Sequence, residues 1–239
     1  PLGDFAFRGN LMSAVAASVS VALLYWVSFR LCRHLKPDSP RSLWITSAAL
    51  GSIVFAATPL FWSQAIMTEV YTLNTVFVGA LLVIASQLVL RPEARRRSRM
   101  RDRSDGIKLA LFGLLLGLGL GNHLTLLAVA VPLMFWLWSA MGLRRLASPW
   151  AIAGLVVGLG IYLYLPIRAA QEPAVNWGNA DTVGGLAWMI SGRVYQGLVF
   201  GVPVGSLWNH TVDWFELVFE QFNPLGVFLG LVGGAVLRS

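Results

Sequence analysis

The sequence is poor in cysteine, histidine and charge: it has one cysteine, three histidines and 12% charged residues. Cys32 alone cannot form an intramolecular disulfide, so cysteine content says nothing about redox compartment. His34, His123 and His210 lie far apart in the chain. No metal-ligand spacing, Walker loop, dinucleotide fingerprint or Ser/His/Asp arrangement accompanies them, so no metal site is expected, and a divalent-ion requirement stays open. The glycine-rich GLGLG follows no expected strand, which leaves its glycines as packing positions rather than a phosphate cradle. Ten-residue segments of alternating polarity are also missing, so a β-barrel is not expected. The opening PLGDFAFRGN is not a signal peptide. An opening without Met and an apolar run ending at LRS suggest a piece of a longer protein.

What the sequence has in abundance is apolar length. Hydrophobic residues make up 56% of the chain and the mean hydropathy is +0.68, far from a soluble domain. Apolar runs of about 18 or more residues recur, enough to cross about 30 Å of hydrocarbon. The expected fold is all-α: a polytopic transmembrane helical bundle of about seven membrane segments. These fall near 11–31, 43–62, 70–90, 107–122, 124–142, 150–167 and 223–237, as one transmembrane domain over 1–239.

Charge orients the bundle. Fifteen of the 18 Lys and Arg fall in alternate connections, with four acids; the remaining connections hold Arg8, Arg168 and Arg193 with seven acids. The positive-inside rule assigns the first set to the cytoplasm. The Arg-rich loop 91–108 is therefore expected to be cytoplasmic and the loop 168–222 to lie outside; the membrane is expected to be a bacterial inner membrane, which makes the second loop periplasmic. The pI of 10.3 does not imply nucleic acid, because the basic residues sit at helix ends and in one short loop. That loop, RPEARRRSRMRDRSDG, is read as a topology signal that touches anionic lipid.

With this orientation the unusual polar residues gather on the outer side. Pro59 is expected to kink or end the second segment. The following SQAIMTEVYTLN brings Gln64, Glu69, Tyr71 and Asn74 to the start of the third. A carboxylate at a membrane boundary is costly unless paired, hydrated or used. Thr68 as a helix cap and Glu69 as a first-turn acid would account for both without function. In GLGLGNHLTLL, Gly117, Gly119 and Gly121 are expected to let the fourth and fifth segments pack as a tight hairpin. Asn122 forms its turn, and His123 either bonds a neighbouring helix end or meets an anionic substrate.

Helix six is expected to end at Pro166, followed by Arg168, which either snorkels to headgroups or holds a phosphate through its planar fork of donors. Trp177 is either an interfacial belt residue or, beside Asn176 and Asn179, a platform for a sugar ring. Residues 183–199 read as an interfacial helix carrying Arg193, Tyr195 and Gln196. In 206–222 the residues Trp208, Val212, Phe215, Phe219 and Phe222 form one apolar stripe. Asn209, Asp213, Glu216 and Glu220 lie opposite, as in a helix at the membrane surface.

FWSQAIMTEVYTLN, GLGLGNHLTLL, and YLPIRAAQEPAVNWGNADT followed by RVYQG resemble a family of bacterial and eukaryotic membrane proteins. That family, long a domain of unknown function, is grouped with the GT-C glycosyltransferases related to protein O-mannosyltransferases. The resemblance spans about residues 1–200. It implies a multi-pass enzyme that takes sugar from a polyprenyl-phosphate carrier and transfers it, on the outer face, to a protein or glycan hydroxyl. It also implies an essential acid in a first outer loop, expected upstream of residue 1. Glu69, His123, Arg168, Asn176 and Trp177 then become donor- or acceptor-binding candidates, joined by Tyr71 and Gln196. Glu69 is the candidate catalytic carboxylate within this chain. The partners so implied are membrane lipids, the lipid-linked donor, the acceptor and a larger membrane assembly. A transporter or flippase is the alternative, although it should carry polar groups near mid-bilayer and related halves. A non-catalytic subunit of a membrane complex is the third reading.

Overall fold

The computed structural model describes residues 3–90 and 100–238. Among the described residues every regular element is a helix. α1 (Phe5–Leu35) opens where Asp4 Oδ1 accepts the Phe7 amide at 2.7 Å, and its last turn carries Arg33 and His34, which suit the negative end of the helix dipole. α2 (Arg41–Ala56) and α3 (Pro59–Ala65) are bent 71° from each other. The break is where Pro59 was expected to make it: proline lacks the amide for α2 to continue, yet suits the first turn of α3. α4 (Tyr71–Val89), α5 (Met100–Asn122) and α6 (Leu126–Met141) follow. After the short α7 (Leu143–Leu146), Ser148 and Pro149 start α8 (Pro149–Leu159), which continues through a 3-10 turn at Gly160–Leu163 into α9 (Tyr164–Ala169). α10 (Val183–Ile190), α11 (Arg193–Phe200) and α12 (Leu207–Arg238) complete the chain.

Among the described residues five helices are long and apolar enough to cross a membrane, or six if α2 and α3 together make one span. α6 is apolar but has 16 residues, about 24 Å at 1.5 Å per residue, somewhat less than a full hydrocarbon core. The chain is thus an all-α, polytopic membrane bundle. α5 begins earlier than expected, so 100–108 is helix rather than loop; residues 91–99 of the Arg-rich loop lie outside the described residues.

Two parallel helix pairs build the bundle. α1 lies along α4, with Ser13 at Glu69, Ser20 at Thr72 and Thr75, and Arg30 at Ser86. Ser13, Ala16, Ala17 and Ser20 are buried, one small face at helical spacing. Ser20 Oγ lies 2.9 Å from Thr75 Oγ1, and Arg30 Nε donates to Ser86 Oγ at 3.0 Å. The second pair is α5 along α8. A side chain at Gly113 or Gly117 would strike the backbone of Ala151, Leu155, Gly158 or Leu159, and one at Gly154 or Gly158 the backbone of Ala110 or Leu114. Between lipid-facing helices there is no hydrophobic drive to associate, so such close backbone approach supplies dispersion and weak Cα–H···O contacts instead. Leu81, Leu109, Phe112, Leu126, Leu133 and Leu137 fill the core where α4, α5 and α6 meet.

These pairings correct the expected hairpin. Gly113, Gly117 and Gly121 serve α8 and the turn after it, where Ile161 faces Gly121, while Gly119 faces Leu126 and Phe77. Local spacing shows that a helix has a small face but not which neighbour uses it. The expected single helix over 183–199 is also two, divided where Gly192 adopts a left-handed φ of 59°. α12 joins the amphipathic stretch to the last apolar segment in one helix broken at Asn223, φ 51° and ψ 168°, just before Pro224.

Gly117→Leu and Gly154→Leu should each lower the thermal unfolding midpoint in detergent by the equivalent of about 3 kcal/mol or more, because the added atoms meet backbone that cannot move aside. Gly51→Leu, with nothing within 4 Å of the position, should leave the midpoint unchanged.

Candidate functional site

The helix ends sort into an arginine-rich end and an arginine-poor end. At the first, Asp105, 3% exposed, pairs with Arg145, and Arg30 reaches Ser86. At the second, the segment between α3 and α4 is fastened to α1. Thr68 Oγ1 donates to Asn10 Oδ1 at 2.7 Å. Ser13, 1% exposed, donates its hydroxyl to the Glu69 carbonyl at 3.4 Å and accepts the Glu69 amide at 3.3 Å. Glu69 is thereby held through its backbone, and its half-buried carboxylate has no ion pair among the described residues. The alternative of Thr68 as a cap and Glu69 as a first-turn acid does not hold: the cap position is Val70, without a side-chain bond, and α4 has no acid in its first turn. The hydroxyl of Thr68 is taken up by α1, which a local capping rule does not see.

α5 reaches the same place. Asn122, its last residue, donates Nδ2–H to the Val70 carbonyl at 3.2 Å, a bond across helices rather than the polar turn expected of it. His123 follows, half-buried, with its ring centroid 5.3 Å from that of Tyr71 at an interplanar angle of 51°. The His123 Nδ1 lies 2.7 Å from Thr125 Oγ1 and accepts the Thr125 amide at 3.3 Å. Asn74 Nδ2 points to the same Thr125 hydroxyl oxygen at 3.5 Å. Three polar atoms near this end are buried without a partner among the described residues: Gln64 Oε1, Thr72 Oγ1 and Asn74 Oδ1. Buried acceptors left unpaired cost roughly 1–3 kcal/mol each, which marks this corner as more polar than packing alone requires.

The expected site residues divide accordingly. Glu69, Tyr71 and His123 are brought to one corner. Arg168, at the end of α9, is exposed and donates to Gln171 Oε1 at 2.6 Å. No hydrogen bond or ion pair joins it to Glu69 or His123 among the described residues. Asn176 is exposed and precedes a short turn, Trp177–Asn179, that packs through Gly178 on Trp188 and Met189 of α10; the side chain of Trp177 lies outside the described residues. Gln196 is exposed and donates to the Ser191 carbonyl at 3.3 Å. The long loop still returns to the corner: a Cβ on Gly192 would lie 3.0 Å from Leu124 Cδ1. Tyr162 donates its hydroxyl to the Leu120 carbonyl at 2.7 Å, and Gln221 Oε1 accepts the Leu60 amide at 2.8 Å. Asn10, Ser13 and Thr125 were missed because isolated Ser, Thr and Asn in apolar runs carry no spacing signal. Among the described residues no group of three His, Cys, Asp or Glu is placed to hold a metal ion.

Ser13→Ala removes the one side chain that satisfies both backbone groups of Glu69 and should destabilise the protein by about 1–3 kcal/mol, read as a lower unfolding midpoint in detergent. Ser18→Ala, which loses only an exposed bond to the Ala14 carbonyl of its own helix, should change it little.

Comparison with known proteins follows the same helices. The chain is 24% identical to a protein O-mannosyl-transferase tmem260 of Dictyostelium discoideum, over 95% of this chain and 28% of that protein. It is 26% identical to the protein O-mannosyl-transferase TMEM260 of Mus musculus, over 77% of this chain and 24% of that protein. The chain therefore spans about a quarter of the length of these curated relatives. No solved structure matches it. Residues 1–147, from α1 through the corner of Tyr71 and His123 to the start of α8, match the model of the Protein O-mannosyl-transferase TMEM260 N-terminal domain, and the chain belongs to that family.

Proposed function

We propose that this chain is the membrane domain of a longer glycosyltransferase. It moves a sugar from a polyprenyl-phosphate carrier to a protein hydroxyl at the arginine-poor end of the bundle. The observation that carries this reading is the family membership, since its curated relatives are named protein O-mannosyl-transferases. The polar corner of Glu69, Tyr71 and His123 supports it at the level of chemistry. In the transfer, the acceptor oxygen bonds to the sugar's anomeric carbon as the carbon–oxygen bond to the carrier phosphate breaks. The acceptor proton needs a carboxylate, and the departing phosphate needs donors aimed at its oxygens.

Glu69 is the carboxylate that this chain offers at the corner it shares with His123 and Tyr71. Arg168 and Gln196 serve the carrier or acceptor further out, and Asn176 and Trp177 meet a sugar, if the loop between α9 and α12 closes on the corner. The arginine-rich end faces the cytoplasm of a bacterial inner membrane and the loop 168–222 the periplasm, following the charge asymmetry. Membrane lipid is the surrounding partner, and the donor enters laterally from the outer leaflet.

The reading is tested by transfer from a polyprenyl-phosphate sugar by the full-length protein. Glu69→Gln should lose about 10²-fold or more if it acts as base, and Arg168→Ala about 10²-fold if it holds the phosphate. Undiminished transfer in both removes them from the mechanism. Orientation has its own test: in a Cys32→Ser background, a cysteine at Asn179 should react with an impermeant maleimide added outside, and one at Arg144 should not.

A further inference from the structure

The corner contains an arrangement with a direction built into it. Both contacts of His123 Nδ1 come from Thr125: the hydroxyl at 2.7 Å and the backbone amide at 3.3 Å. A backbone amide can only donate, so Nδ1 must be the unprotonated, accepting nitrogen of the neutral ring. A proton on Nδ1 would face the Thr125 N–H head on. The hydroxyl, which can donate or accept, therefore donates to Nδ1 as well. Its oxygen is then free to accept, and Asn74 Nδ2 lies 3.5 Å from it. Turning the Asn74 amide over would offer Thr125 a carbonyl and draw its proton away from the imidazole. It would also put the NH2 where Oδ1 now lies buried without a partner, and an unpaired buried N–H is rarer than an unpaired carbonyl. The direction is consistent along the whole chain, from Asn74 to Thr125 to His123.

We propose that Asn74 and Thr125 are positioning residues that fix His123 as the Nε2–H tautomer and set its ring against Tyr71. Nε2 has no partner among the described residues, so the relay presents one N–H donor at the arginine-poor end. The group that such a donor takes is an anionic or carbonyl oxygen; on the reading of this corner as part of a transferase site, it is an oxygen of the carrier's phosphate. The relay spans two elements: α4 contributes Asn74, and the turn between α5 and α6 contributes both His123 and Thr125, the residue before α6. It makes the donor's direction depend on how α4 and α6 pack.

The test is 15N NMR of histidine-labelled full-length protein, with the His123 signals assigned by their loss in His123→Gln. In the wild type, Nδ1 should resonate as an unprotonated, hydrogen-bonded nitrogen and Nε2 as a protonated one at a pH where the ring is neutral. Thr125→Val should move Nδ1 downfield toward the position of a free imidazole nitrogen, and Thr125→Ser should restore it. Asn74→Asp, whose side chain accepts but does not donate when ionised, should pull the Thr125 proton away and move Nδ1 in the same direction as Thr125→Val. A protonated Nδ1 in the wild type, or an Nδ1 signal that stays put in Thr125→Val while the protein remains folded, overturns the relay. Transfer activity reads the functional half separately. Thr125→Val should reduce kcat at least tenfold, with Thr125→Ser recovering most of it. An NMR response without any change in kcat overturns the role of the His123 donor in transfer, and leaves the family reading to the assays of Glu69 and Arg168.

Discussion

Helices in hydrocarbon cannot be held together by expelling water, and this constraint shapes the whole protein. Association must come from close backbone approach or from polar groups that bond across helices. The two parallel pairs divide these solutions. α5 and α8 use glycine at Gly113, Gly117, Gly154 and Gly158, where the backbones leave no room for a side chain. α1 and α4 use hydroxyls, with Ser13 and Ser20 reaching the backbone of Glu69 and Thr72 and Arg30 closing the far end on Ser86. Each pair is parallel because intervening helices, α2 with α3 or α6, return the chain before the second member begins.

The polar corner is a consequence of how these pairs meet. Ser13 on α1 holds the residue before α4, Asn122 at the end of α5 holds Val70, and Asn74 on α4 reaches the start of α6. Side chains from α1 and α5 thus fix a stretch of five residues between α3 and α4, which has few helical bonds of its own. The glycines of α5 matter here at a distance: they set the height at which Asn122 and His123 emerge. α8 then carries the chain toward Arg168 at the same end, through the bond of Tyr162 to Leu120.

Several features were legible because they rest on local rules. Helix class follows from apolar run length, the bend at Pro59 from the missing amide, and the surfacing of Asn122 and His123 from two polar residues between apolar blocks. The partners of these features were not legible. Gly117 declares a close approach without saying to what, and the natural guess, the next helix in sequence, gave way to α8. Thr68 before a helix resembles a cap, yet Asn10 takes its hydroxyl because α1 lies there. Arg168 and His123 share an end of the bundle without sharing a bond, since being on one face of a membrane constrains height and not lateral position.

The sequence by itself determined the helical membrane class of the protein and the uneven distribution of its Lys and Arg along the chain, because both depend only on composition and on the thickness of hydrocarbon. It also carried the family likeness in three short polar blocks. Tertiary structure alone decided which small faces pair, that Glu69 is held through its backbone by Ser13, and that Thr125 supplies both contacts of His123 Nδ1. The hold on Glu69 depends on donors and acceptors meeting from elements more than 50 residues apart, and the contacts of His123 on a turn geometry only two residues long. Neither is encoded by spacing along a single helix.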